Sequence, residues 1–131
     1  MNDALAMLGP LAGRLLLAGI FLYSGWMKLT ATGRAAAAIA GHGLPYATAG
    51  AYVAGVAEVV GGLALVLGLK TRAASIAFVV YLVIVTYVFH WHPAFRGDRA
   101  QLLNVLKNAA IAGGMLLLAS HGPGRASIDR G

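Results

Sequence analysis

Four side chains able to do chemistry, Arg14, Glu58, Lys107 and Asn108, sit inside long apolar stretches of a 131-residue chain. A charge at the centre of a lipid-embedded helix costs about 2.5–3.5 kcal/mol on insertion scales, so such groups turn inward and seek partners. Glu58 falls near the middle of its stretch. Lys107 enters its own stretch from the same side, with an offset of roughly 6 Å at 1.5 Å per residue, which a lysine stem covers. Arg14 lies on the other side of the midplane, within reach of the same carboxylate. The expected arrangement is Glu58 between two cations, with an Arg14–Glu58 bond at its heart. Such a cluster can hold or pass a proton and hydrogen-bond a polar guest. Buried ion pairs also serve only to fix which helices pack together, and that reading stays open beside the chemical one.

The elements that must position these groups are helices. Arg14, Ala18, Phe21, Gly25 and Lys28 recur in steps of four and three, as one helix face does. Ala51, Gly55, Glu58 and Gly62 repeat the pattern, and Asn104, Lys107, Asn108 and Ile111 form a polar stripe further on. Thr86 and His90 stack four residues apart, with Tyr87 beside them. Lys28 is expected to snorkel to the interface beside Trp26. His90 is a candidate for hydrogen bonding or pH response at the membrane surface. His90 and His92, two apart on a helix, point different ways and Pro93 ends the segment, so no metal site is expected there.

Composition places these helices in a bilayer. The chain is 60% hydrophobic and 11% charged, with a mean hydropathy of +0.78, against about 25% charged in a soluble domain. Stretches near residues 9–29, 48–69, 73–90 and 101–120 each approach the roughly 20 residues needed to cross the hydrocarbon core. The fold class expected is all-α, a polytopic membrane protein forming one four-transmembrane-helix bundle over residues 1–131. Lipid demands internally satisfied backbones, and four strands cannot close a barrel. The first stretch lacks a basic leader and a cleavage site, and is expected to be a retained span.

The connections differ in kind. "GLKTR" is a tight turn that makes the second and third spans antiparallel neighbours. "TATGRAAAAIAGHGLPYAT" contains an Ala-rich centre suited to a short interfacial helix before "GHGLP" breaks it. The tail from residue 121, "HGPGRASIDRG", reads as flexible. Basic residues divide evenly between the two sides, but the shortest loop is densely basic, which points to both termini in the cytoplasm. Eighteen glycines, many at small-xxx-small spacing, allow close helix approach and permit a homodimer. Absence of cysteine excludes disulfides, thiolate-held clusters and thiol catalysis. The net charge of +6 is scattered singly, which favours anionic lipid over nucleic acid. No nucleotide, zincin or nucleophile-elbow motif occurs.

"GRLLLAGIFLYSGWMKL", "AEVVGGLALVLGLKTRAAS" and "LNVLKNAAIAGGMLLL" together resemble the DoxX family of small four-helix bacterial membrane proteins. The elements that match are an Arg opening the first span, Gly25–Lys28–Leu29 closing it, Glu58 with Gly61 and Gly62 before the basic turn, and Lys107–Asn108 in the last span. The family takes its name from a quinol-oxidase-associated subunit, with relatives linked to quinone-dependent thiosulfate oxidation and to membrane redox-stress complexes. The resemblance implies a bacterial inner-membrane accessory subunit of quinone-linked redox chemistry, with an oxidoreductase partner and a quinone as bound group. In that reading Lys107 and Asn108 bond a quinone carbonyl, Glu58 is a proton partner, Phe21 and Tyr87 flank the ring, and Arg14 and His90 complete the pocket. The alternative is a non-enzymatic assembly factor, or a small-solute or proton carrier, whose buried charges are structural.

Overall fold

The computed structural model describes residues 2–129. The chain forms α1 (Asp3–Thr30), α2 (Thr32–Gly41), α3 (Ala47–Leu67), α4 (Thr71–Val85), a π-helical turn (Thr86–Trp91), α5 (His92–Ala94) and α6 (Arg99–His121). Among the described residues, four helical stretches are long and apolar enough to cross a membrane: Asp3–Thr30, Ala47–Leu67, Thr71–Ala94 and Arg99–His121. The protein is thus an all-α, four-span membrane bundle.

The inward faces follow the sequence spacing. Arg14, Ala18, Phe21 and Gly25 are the buried residues of α1, and Ala51, Gly55, Glu58, Gly62 and Leu65 those of α3. These two faces meet closely. A methyl group at Gly25 would sit 2.8 Å from the Gly55 carbonyl oxygen, closer than any real side-chain contact. Gly61 likewise yields its side-chain volume to the Phe78 ring, which stacks on Phe21 with centroids 4.0 Å apart. Ala18, Leu65 and Met115, all fully buried, complete the core.

The "GLKTR" turn is a Schellman motif. Gly68 at φ +66° ends α3, with Leu69 N–H bonded to Ala64 O at 2.9 Å and Gly68 N–H to Leu65 O at 3.2 Å. Although the turn is tight, α1 packs mainly on α3 and α4 mainly on α6. The α3–α4 pair leaves between its helices a groove of about 220 Å³ floored by Ala57, Gly61, Ala74 and Ala77. The Ala-rich linker forms α2, which has no buried residue and rests against α3 and α1.

Pro93 cannot donate to the carbonyl four residues before it, and its ring crowds that carbonyl. The helix widens to the π form over Thr86–Trp91 just upstream, where such a mismatch is absorbed.

The tail differs from its sequence reading. Residues 122–129 fold back over the α3–α4 turn, with Ile128 N–H on Leu67 O and Asp129 N–H on Gly68 O. The Asp129 carboxylate accepts from Lys70 N–H at 3.0 Å and Thr71 N–H at 2.9 Å, serving as a borrowed cap for α4. The Thr71 and Lys70 N–H groups hold the Asp129 carboxyl below its ordinary value of 3.8. A depressed carboxyl contributes stability above its unfolded pKa and loses it as pH falls through the folded one. A spin label on the exposed Ile128→Cys, in this cysteine-free chain, is therefore expected to gain mobility only below about pH 3.8. With Asp129→Asn added it should be mobile at every pH. A label equally immobile with and without Asp129 would refute the cap.

Candidate functional site

Glu58 lies midway along α3 with its side chain turned into the bundle, 3% exposed. Its partner is Lys28, whose Nζ lies 3.0 Å from Oε1 and 3.2 Å from Oε2 and also donates to Ser24 Oγ at 2.7 Å. Tyr81 on α4 donates its hydroxyl to Oε1 of the same carboxylate. Burial in a bilayer makes each of these bonds consequential, because water is not there to replace a lost partner.

The expected Arg14–Glu58 bond is not made. Arg14 is buried, 1% exposed, but its guanidinium serves main-chain carbonyls at the other end of α3. Nε donates to Leu65 O at 2.9 Å, Nη2 to Val66 O at 3.2 Å and Ala126 O at 2.9 Å, and Nη1 to Pro123 O at 2.6 Å. Leu65 is seven residues beyond Glu58, about 10 Å along the helix. The last carbonyls of a helix carry partial negative charge and lack intrahelical donors, so a cation there is well placed. Lys28 takes the role assigned to Arg14, and does so by bending inward instead of snorkelling to the surface.

Lys107 is a second correction. It is exposed on the outer face of α6, away from Glu58. Its neighbour Asn108 faces inward and donates to Thr86 Oγ1 at 3.0 Å. Successive helix residues are turned about 100° apart, so one bundle face cannot hold both. His90 is inward too, its Nδ1 against Gln101 Oε1, which also accepts from Asn104 Nδ2 at 3.2 Å. Tyr87 is not: it is 59% exposed and meets the His92 ring edge-on.

These groups surround a cavity of about 610 Å³ between α1, α2, α3, α4, the π turn and α6. Phe21, Ile20, Leu82, Val85 and Ile111 give it an apolar body. Ser24, Lys28, Glu58 and Tyr81 form one polar wall, His90 and Asn108 another, and Arg34 of α2 also lines it from an exposed position. Of the residues singled out from sequence, Phe21, Glu58, His90 and Asn108 converge here, while Arg14, Lys107 and Tyr87 do not. Ser24, Arg34 and Tyr81 join them without having stood out in the sequence. Ser24 does carry one signal, since it precedes Lys28 by one helical turn. Among the described residues no group of three His, Cys, Asp or Glu side chains gathers as metal ligands would.

Apolar walls with a few convergent polar groups, at a volume within the usual range of roughly 300–1,000 Å³, are the attributes of a small-molecule site.

Comparison with known proteins agrees with the bundle. The DoxX family model matches residues 9–91, from α1 to the π turn, and so takes in Lys28, Glu58, Tyr81 and His90. The chain is 33% identical over 122 residues to Inner membrane protein YphA of Escherichia coli (strain K12), covering 92% of this chain and 87% of that one. It is 32% identical over 122 residues to Inner membrane protein YqjF of the same organism, covering 93% and 90% respectively. No solved structure gives a significant match. With most of its helices inside the family match and both relatives aligned nearly end to end, this four-span membrane protein belongs to the DoxX family.

Proposed function

We propose that the protein is an inner-membrane accessory subunit of quinone-linked redox chemistry, holding a quinone-type amphiphile in its interhelical cavity. The observation that carries this reading is the cavity itself, about 610 Å³ with an apolar body and hydrogen-bond donors on two walls. The residues suit such a guest. Asn108, which spends one of its two amide hydrogens on Thr86, offers the other to a ring carbonyl, Phe21 offers an aromatic face, and Glu58 with its bound Tyr81 hydroxyl is the proton-holding group. The bound group would supply the redox chemistry. The chain's own part is to bind, orient and keep water away, with electrons delivered by a partner oxidoreductase. The names of the two Escherichia coli relatives support the inner membrane as location.

The test is titration of the purified protein with 2-methyl-1,4-naphthoquinone, alongside mass spectrometry of co-purified lipids. Asn108→Leu is expected to weaken binding by about tenfold, the loss of one buried hydrogen bond. Lys107→Met should bind as the parent does. A parent protein that neither binds the probe nor carries a quinone would overturn the reading. It would leave the second one, a bundle whose charges only lock helices, which the mutual satisfaction of Lys28, Glu58 and Tyr81 favours.

A further inference from the structure

The charges around the cavity do not cancel. Glu58 is the one acidic side chain lining it, and that carboxylate is already engaged by Lys28 Nζ at 3.0 Å and by the Tyr81 hydroxyl. His90 is tied to Gln101. The remaining charged group is Arg34, the sole charged residue of α2, an exposed side chain that lines the cavity with Ala31, Ala35 and Ala38. Among the described residues its guanidinium has no hydrogen bond or ion pair. An exposed cation thus borders an apolar chamber whose one lining carboxylate is already paired.

We infer that the cavity selects amphiphiles bearing an acidic group, a carboxylate, phosphate or ionised hydroxyl, which pairs with Arg34 while the apolar body lies against Phe21 and Leu82. This rests on the cavity being a binding site and adds the charge of what it takes. A guanidinium at the rim of a low-dielectric chamber attracts an anion more strongly than one in open water. It does so without disturbing the Lys28–Glu58 pair below.

Matched probes test this in nanodiscs of zwitterionic lipid. 2-Hydroxy-1,4-naphthoquinone is ionised at neutral pH, and 2-methyl-1,4-naphthoquinone is a neutral ring of similar size. Decanoate and decanol form an equivalent pair without the quinone ring. The parent is expected to prefer the anion of each pair by about tenfold. Arg34→Gln should erase the preference and leave affinity for the neutral member unchanged, whereas Leu82→Trp, which fills the chamber, should weaken both. Adding phosphatidylglycerol separates two sources of the acidic group. Competition at low mole fraction assigns it to a bilayer lipid, indifference to a free amphiphile, and either upholds the inference. If both ring probes fail while decanoate is still preferred through Arg34, the quinone reading falls and this one stands. Equal binding of decanoate and decanol, or a preference that survives Arg34→Gln, overturns it.

Discussion

Replacing Arg14 with Gln is expected to destabilise the protein by about 3–5 kcal/mol, the usual cost of breaking a buried charged network. The guanidinium is a fork of five donors, and here it joins α1 to the end of α3 and to the tail through four carbonyls. A Gln amide can serve at most two of them. Arg14→Lys should fall between, since an ammonium keeps the charge but loses the planar fork. Thermal unfolding in detergent measures both variants. A label at position 125 should loosen in step with the loss, because Pro123 and Ala126 are released together. An Arg14→Gln protein as stable as the parent would show that the clasp is idle. The same variant tests the partner assignment. Combined with Glu58→Gln its effect should add, because the two groups share no contact.

Lys28→Met is expected to cost about 3–5 kcal/mol, leaving the Glu58 carboxylate buried without its cation. Combining it with Glu58→Gln should recover much of that loss, since no uncompensated charge then remains in the bundle. The difference between the double variant and the sum of the singles is the coupling energy, expected to be in the range of about 0.5–3 kcal/mol for groups in contact. Arg14 and Glu58 should show none. Coupling between Arg14 and Glu58 in place of Lys28 and Glu58 would contradict the geometry outright. Tyr81→Phe, which removes one donor but no charge, should cost about 1–3 kcal/mol.

The inward faces of α1 and α3 are legible because small and polar residues at steps of three and four, set in an apolar stretch, mark the side that lipid does not touch. Glu58 stands out as an acid deep in a span, and its burial follows. Its partner does not, for a reason general to arginine. The acceptors of Arg14 are main-chain carbonyls, which every residue carries and no sequence marks. With those unseen, the nearest carboxylate looks like the natural partner. Lys107 and Asn108 look like a unit in the sequence, yet neighbours on a helix diverge. Asn104, Asn108 and Ile111, at steps of four and three, turn inward and leave Lys107 outside. The tail looks unstructured because its order comes from backbone groups and one carboxylate, Asp129, bonding across 58 and 59 positions. The π turn leaves no pattern beyond Pro93.

The clasp around Arg14 also makes the tail a structural part of the bundle. It seals one end of the bundle with tail, turn and guanidinium, above a plug of Ala18, Leu65 and Met115 that admits no solvent. The cavity that Arg34 helps to line lies apart from it, around Glu58, about 10 Å away along α3. The tail is thereby a stopper fastened from within, held by a guanidinium 109 and 112 positions away in the chain.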